Sequence, residues 1–176
     1  MVLAIVGVVL GLMALPSVCQ MIWGTPQIRL NFNTANKHGA KYLLCELFNL
    51  PVRSKILRAF GVTRSPAEQV IASFSIREDG TNRVVLDGTI PEIKTDAGVV
   101  SQRARLPGSI IPASFQVVTA LESETGIKVG LMAEDTEYNL SPGFYRVDVK
   151  VLAAEKRITG NRRFRVGNRF DEVYWL

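Results

Sequence analysis

Downstream of Thr25, apolar and polar residues alternate with a period near two. Ile28, Leu30 and Phe32 are separated by Arg29 and Asn31. Leu43, Cys45 and Leu47 repeat the spacing, although Tyr42, Leu44 and Phe48 make both faces of that run apolar. Val70, Ala72, Phe74 and Ile76 oppose Gln69, Ser73, Ser75 and Arg77. A strand buried on one face requires this alternation, because successive side chains leave a pleated backbone on opposite sides. Glu78-Asp79-Gly80 reads as a turn with the chain returning over 83–86, and Asp87-Gly88 punctuates again. Further strands are predicted over 89–94, 99–106, 114–121 and 127–132. The clearest lies over 144–152, where Tyr145, Val147, Val149 and Val151 alternate with Arg146, Asp148 and Lys150. Residues 158–166 are expected to be its hairpin partner. Turn signals this closely spaced favour an antiparallel sandwich.

The N-terminal residues follow a different rule. Positions 2–23 carry no charged side chain. A helix over them reaches about 33 Å, enough to cross a hydrocarbon core about 30 Å thick. The expectation is a transmembrane anchor over 1–23 followed by one β domain over 24–176. Pro16 is tolerated in such a helix, and Trp23 stands where an interfacial aromatic belongs. No Lys or Arg precedes the apolar run, as a cleaved signal peptide would require. Val18 is a poor residue to precede a lipidated Cys19. Gly7 and Gly11 form a GxxxG pair, the spacing at which two membrane helices approach closely, so a homodimer through this face is one reading. The alternative is an ordinary lipid-facing pair.

The last hairpin carries a resemblance. Leu140-Ser141-Pro142-Gly143-Phe144-Tyr145-Arg146-Val147-Asp148-Val149 resembles the recurrent L-x-P-G-x-Y-x-V-x-V lead into a late strand of bacterial immunoglobulin-like domains. Arg163-Phe164-Arg165-Val166 is similar to their closing strand. The resemblance covers about thirty residues and implies a fold without an activity, since such sandwiches host many functions. The Cys–Trp–Cys pattern of antibody domains is absent from the sequence. The fold class expected is therefore mainly β, a transmembrane helix followed by an antiparallel immunoglobulin-like β-sandwich with one short helix.

Charge sharpens the picture. The net charge of +5 is unevenly placed. Residues 24–66 hold seven basic residues against Glu46 alone, a local net of +6, while the other 14 basic residues face 15 acidic ones. Basic residues resist translocation, so the β domain is expected on the cytoplasmic side of a cell membrane. Within this region Ser54 caps a short helix over 55–60 that Gly61 ends. Its plain role is a connection over the end of the sandwich. Its sharper role is contact with an anionic lipid surface through Lys55, Arg58 and Phe60. Cys19 and Cys45 read as small buried hydrophobes that do not pair.

Catalytic patterns are missing from the sequence. His38 is the only histidine, and residues 33–39 around it read as a polar hairpin loop. No nucleophile elbow, zincin helix, phosphate-binding glycine loop or C-x-x-C occurs. Glu134, Asp135 and Glu137 cluster near a turn, but their spacing does not match a calcium loop. Arg157, Arg162, Arg163, Arg165 and Arg169 accompany Phe164 and Phe170, a mix that can serve single-stranded nucleic acid. Phe164 and Val166 have core parity, however, so a nucleic-acid partner is not expected. The tail 170–176 is expected to fold back onto the domain. No catalytic residue, cofactor or metal is expected. The expected partners are the lipid bilayer and a second protein, bound by a non-catalytic scaffold. The alternatives are an exported envelope sandwich that binds carbohydrate and a hydrolase with a carboxylate site.

Overall fold

The computed structural model describes residues 2–123, 126–133, 136–153 and 156–176, with side chains described except those of 2–10, 12, 123, 126–127, 131–133 and 136–138. The chain begins with helix α1 (Val2–Trp23). The strands that follow are β1 (Ile28–Lys37) and β2 (Ala40–Asn49), then β3 (Ala67–Glu78) and β4 (Val84–Thr89) after the short helix α2 (Lys55–Ala59). Next come β5 (Ile93–Lys94), β6 (Val100–Ser101), β7 (Ala104–Leu106), β8 (Ala113–Ser123), β9 (Gly126–Ala133) and β10 (Thr136–Asn139). The hairpin β11 (Gly143–Ala153) and β12 (Lys156–Val166) leads through a 3-10 turn at Phe170–Glu172 to β13 (Tyr174–Trp175).

Among the described residues the strands form two antiparallel sheets, a β-sandwich. One sheet runs β1-β2-β8-β5-β6, with β9 on β8 and β10 on β9. The other runs β13-β12-β11-β3-β4, with β7 also on β3. The alternating residues of the sequence fill the layer between them. Leu43, Cys45 and Leu47 face Val70, Ala72, Phe74 and Ile76, with Val147, Val149 and Val151 beside them. Phe74 and Phe115 stack across the layer with centroids 6.0 Å apart. Truncating a buried phenylalanine of this kind costs about 3–5 kcal/mol. Gly160 of β12 lies against Leu30 of β1, where a Cβ would stand 2.8 Å from Leu30 Cδ2, so the sheets approach there only because no side chain intervenes.

The tail folds back as the sequence predicts. Trp175 meets Phe32 edge-on at 5.0 Å and Phe164 at 5.7 Å, and its indole N–H donates to Asn33 O at 2.8 Å. One residue of the second sheet thereby closes the seam against the first.

The expected transmembrane helix, and with it the single-pass membrane protein, is corrected. Among the described residues no helix is long and apolar enough to cross a membrane. The physical reason is visible at the end of α1, whose last turn belongs to the domain. Cys19 is buried against Val52 and Val62, and the Gln20 side chain bonds the backbone of Thr63. A polar anchor of that kind takes the last turn out of the apolar run.

Smaller departures have local causes. The predicted strand 99–106 splits at Gln102 and Arg103, so that β6 joins one sheet and β7 the other. Pro91 likewise divides 89–94, because it has no N–H for a ladder. The expected loop 33–39 shrinks to His38-Gly39, both at positive φ, a two-residue turn that lets β1 and β2 pair through Lys37 and Ala40. Thr136–Asn139 pairs with β9, while Glu134 and Asp135, with the Glu137 side chain, lie outside the described residues.

Tyr145, at the start of β11, donates its hydroxyl to Ser141 O at 2.7 Å. Burial and then the Glu78 charge raise its pKa above the usual tyrosine range. A raised pKa means that the folded state holds this proton more tightly than the unfolded chain. The contribution is therefore complete below about pH 10, the ordinary tyrosine value, and is lost as pH rises through the folded value. Tyr145→Phe should lower stability by about 1 kcal/mol at neutral pH and flatten the alkaline decline. Urea unfolding of both proteins at neutral pH and above pH ~10 checks this.

Candidate functional site

The chain from β2 to β3 forms a compact joint beneath the sandwich. Ser54 caps α2 through its hydroxyl, which accepts from Leu57 N–H at 3.3 Å, and Gly61 leaves the helix at φ 75°. This matches the local signals in the sequence. Leu57 turns inward onto Cys19, Val52 and Val62. Ile56 and Phe60, one turn apart, point outward and are 71% and 45% exposed. Met21, Ile22 and Trp23 are exposed on the adjoining end of α1.

Three polar side chains hold the joint. Gln20 accepts from Thr63 N–H at 2.9 Å and donates to Thr63 O at 2.9 Å. Arg64 donates to the carbonyls of Leu50, Trp23 and Thr25 at 2.9, 2.7 and 2.7 Å. Burial lowers the Arg64 pKa from the usual guanidinium value. Asn49, almost fully buried, accepts from Gln27 N–H and donates to Ser65 O and Leu106 O at 2.8 and 3.1 Å. One amide thus ties the residue before β1, the segment after α2, and β7 together. The sequence signals that these residues offered were slight: a polar residue inside an apolar run for Gln20 and another for Asn49.

Lys55 and Arg58 on α2 and Phe60 at its C-cap are all exposed, as is Arg53 just before the helix. Among the described residues, none of Arg53, Lys55 and Arg58 pairs with a carboxylate. Glu46, the one acid between residues 24 and 66, is engaged by Asn31 and Asn33. The result is an apolar and cationic surface without local compensation. At the GxxxG pair, a Cβ at Gly11 would meet nothing within 4 Å. Gly7 lies in α1, outside the side chains described.

The remaining candidates are dispersed. His38 occupies the β1–β2 turn. Cys19 and Cys45 are buried and free, and burial followed by the Glu46 charge pushes the Cys45 thiol far above its usual range, which suppresses the thiolate. Arg163 pairs with Asp79, and Arg165 lies 3.8 Å from Glu172 and over the Phe144 ring. Phe164 and Val166 point into the core, as their parity requires. Among the described residues no cluster of His, Cys, Asp or Glu has metal-binding geometry. A hollow of about 550 Å³ beside Val99 and Arg105 has Asp96 as its one acid, and another of about 300 Å³ has Glu172.

A different feature was not read from the sequence. β1 is an edge strand, paired with β2 over ten residues without a break in register. Leu50 N–H donates to Gln27 O at 2.9 Å, which sets the parity of the ladder. Residues 29, 31, 33, 35 and 37 therefore bond to β2, and Leu30, Phe32, Thr34 and Asn36 turn their backbone groups to the outer edge, where the Thr34 N–H donates to Asn33 Oδ1 at 2.8 Å. No protein-family model matches the chain, and no curated protein does.

Asn49→Ala should be among the most damaging polar substitutions, since it leaves the buried Leu106 carbonyl, the half-buried Ser65 carbonyl and the Gln27 N–H without their partner. A loss of about 2–4 kcal/mol is expected from urea unfolding. Faster hydrogen exchange at residues 24–27 and 63–66, with β11 and β12 less affected, is the local signature.

Proposed function

We propose that this chain is a non-catalytic, immunoglobulin-like sandwich that binds a partner protein by strand addition along β1. The immunoglobulin-like reading is supported by strand order. With β1, β2, β3, β4, β5, β8, β11 and β12 as successive strands of that fold, the first sheet follows its A-B-E-D order and the second its C′-C-F-G order. The Tyr145–Ser141 bond is the corner that such domains place at the start of strand F. Val147, two residues on, stands where antibody domains have the second cysteine, so the fold is supported here without a disulfide.

The observation that carries the binding reading is the open edge of β1. Natural edges are blunted by bulges, prolines or inward charges. This one runs ten residues without a bulge or proline, with Arg29 and Lys37 near its ends. An extended segment from another protein would bond to the backbone of Leu30, Phe32, Thr34 and Asn36. Acidic residues at its ends would match Arg29 and Lys37.

Thr34→Pro tests the reading cleanly. It removes the Thr34 N–H, which donates to Asn33 Oδ1 at 2.8 Å until an incoming strand displaces that side chain, and it spares the ladder to β2. Partner retention should fall about tenfold or more, while stability changes by less than about 1 kcal/mol. Affinity capture with native extracts followed by exchange mapping of the complex measures both effects. A partner held equally by the variant, or one that protects residues away from 30–36, would sink the proposal.

A further inference from the structure

We infer that the α2 end of the domain seats on an anionic lipid surface at headgroup depth. This contact needs no span across the bilayer, and it uses residues separate from the β1 edge. Three observations converge on it. Ile56 and Phe60 are large apolar side chains held outward by a helix whose other side, through Leu57, is fixed to the domain. Arg53, Lys55 and Arg58 are their neighbours in the chain, exposed and, among the described residues, without an acidic partner. The exposed Met21, Ile22 and Trp23 continue the apolar surface, because the Gln20–Thr63 bonds hold the end of α1 beside the segment that follows α2.

Charge complementarity selects the occupant. Exposed apolar side chains interspersed with cations match the boundary between acyl chains and anionic headgroups, where rings and methylenes sink and ammonium and guanidinium groups meet phosphate and carboxylate. A nucleic acid would satisfy the cations and could stack on Phe60 or Trp23, but it would leave the aliphatic Ile56, Met21 and Ile22 in water. An acidic protein would need its own apolar groove. The leaflet with the required charge in a cell is the cytoplasmic one.

α2 is only five residues long. It is not a free amphipathic helix that folds on the lipid. It is a preformed ledge, capped by Ser54 and pinned by Leu57, so little conformational entropy is lost on contact.

Co-sedimentation of the full chain with two kinds of vesicle tests the inference. One is phosphatidylcholine alone, and the other is phosphatidylcholine mixed with phosphatidylserine. The measured quantity is the difference between them, so an uncharged apolar contribution from α1 cancels. Three cations at the surface should favour the serine-containing vesicles by on the order of a hundredfold. The preference should collapse near 1 M salt, where screening reaches about 3 Å. The double variant Lys55→Glu/Arg58→Glu should lose nearly all of it. The control Lys94→Glu/Arg103→Glu makes the same change in net charge elsewhere and should keep most of it. Equal binding to both vesicles, or a preference retained by the first double variant, would overturn the inference. So would binding of single-stranded DNA that depends on Lys55 and Arg58 without any vesicle preference, which would reassign the face to nucleic acid.

Discussion

Phe74 and Phe115 stack within an apolar layer to which strands of both sheets contribute alternate side chains. Burial of that layer is the interaction on which the other features depend. It fixes strand register, because a slip of one residue would turn Val147, Val149 and Val151 outward and Arg146, Asp148 and Lys150 inward. It also decides which groups remain at the surface. Arg163 and Arg165 of β12 point away from the core because Phe164 and Val166 take the interior positions. Trp175 then closes the open side of the layer, joining the two sheets by packing on Phe32 and Phe164 and by its bond to Asn33.

The joint below the sandwich obeys a different rule. Its apolar cluster of Cys19, Val52 and Val62 is small, so directed polar contacts carry much of the order. Asn49 and Arg64 are suited to this because each satisfies several backbone groups from separate segments at once. A buried amide with all its partners specifies one arrangement, since any displacement leaves polar groups unpaired away from water. That rigidity holds α2 with Ile56 and Phe60 outward, even though the helix is too short to be stable alone.

The sheet region was readable because a strand writes its environment into every second residue. The runs 70–76 and 144–152 were legible for this reason, as was the hairpin that follows. Ser54 and Gly61 marked α2 because caps and positive-φ exits are set by neighbouring residues. The 99–106 segment was misread because a change of sheet leaves the local alternation intact: Ala104 and Leu106 are buried in either arrangement. The apolar run at 2–23 was misread as a span because composition cannot show that its last turn docks on Thr63. The edge of β1 was invisible for a similar reason, since whether a strand has one neighbour or two is a property of the assembled sheet.

By itself the sequence determined which residues seek the interior, where the chain turns, and where the positive charge accumulates. These follow from side-chain chemistry and from the pleat or helical turn, which extend over only a few residues. The tertiary structure alone decided that Asn49 joins three distant segments, that Trp175 closes the seam, that β1 stands at an edge, and that Arg53, Lys55 and Arg58 share a surface with Ile56 and Phe60 without an acidic neighbour. Each of these depends on contacts between residues far apart in the chain, and no local pattern encodes the position of a partner forty or a hundred residues away.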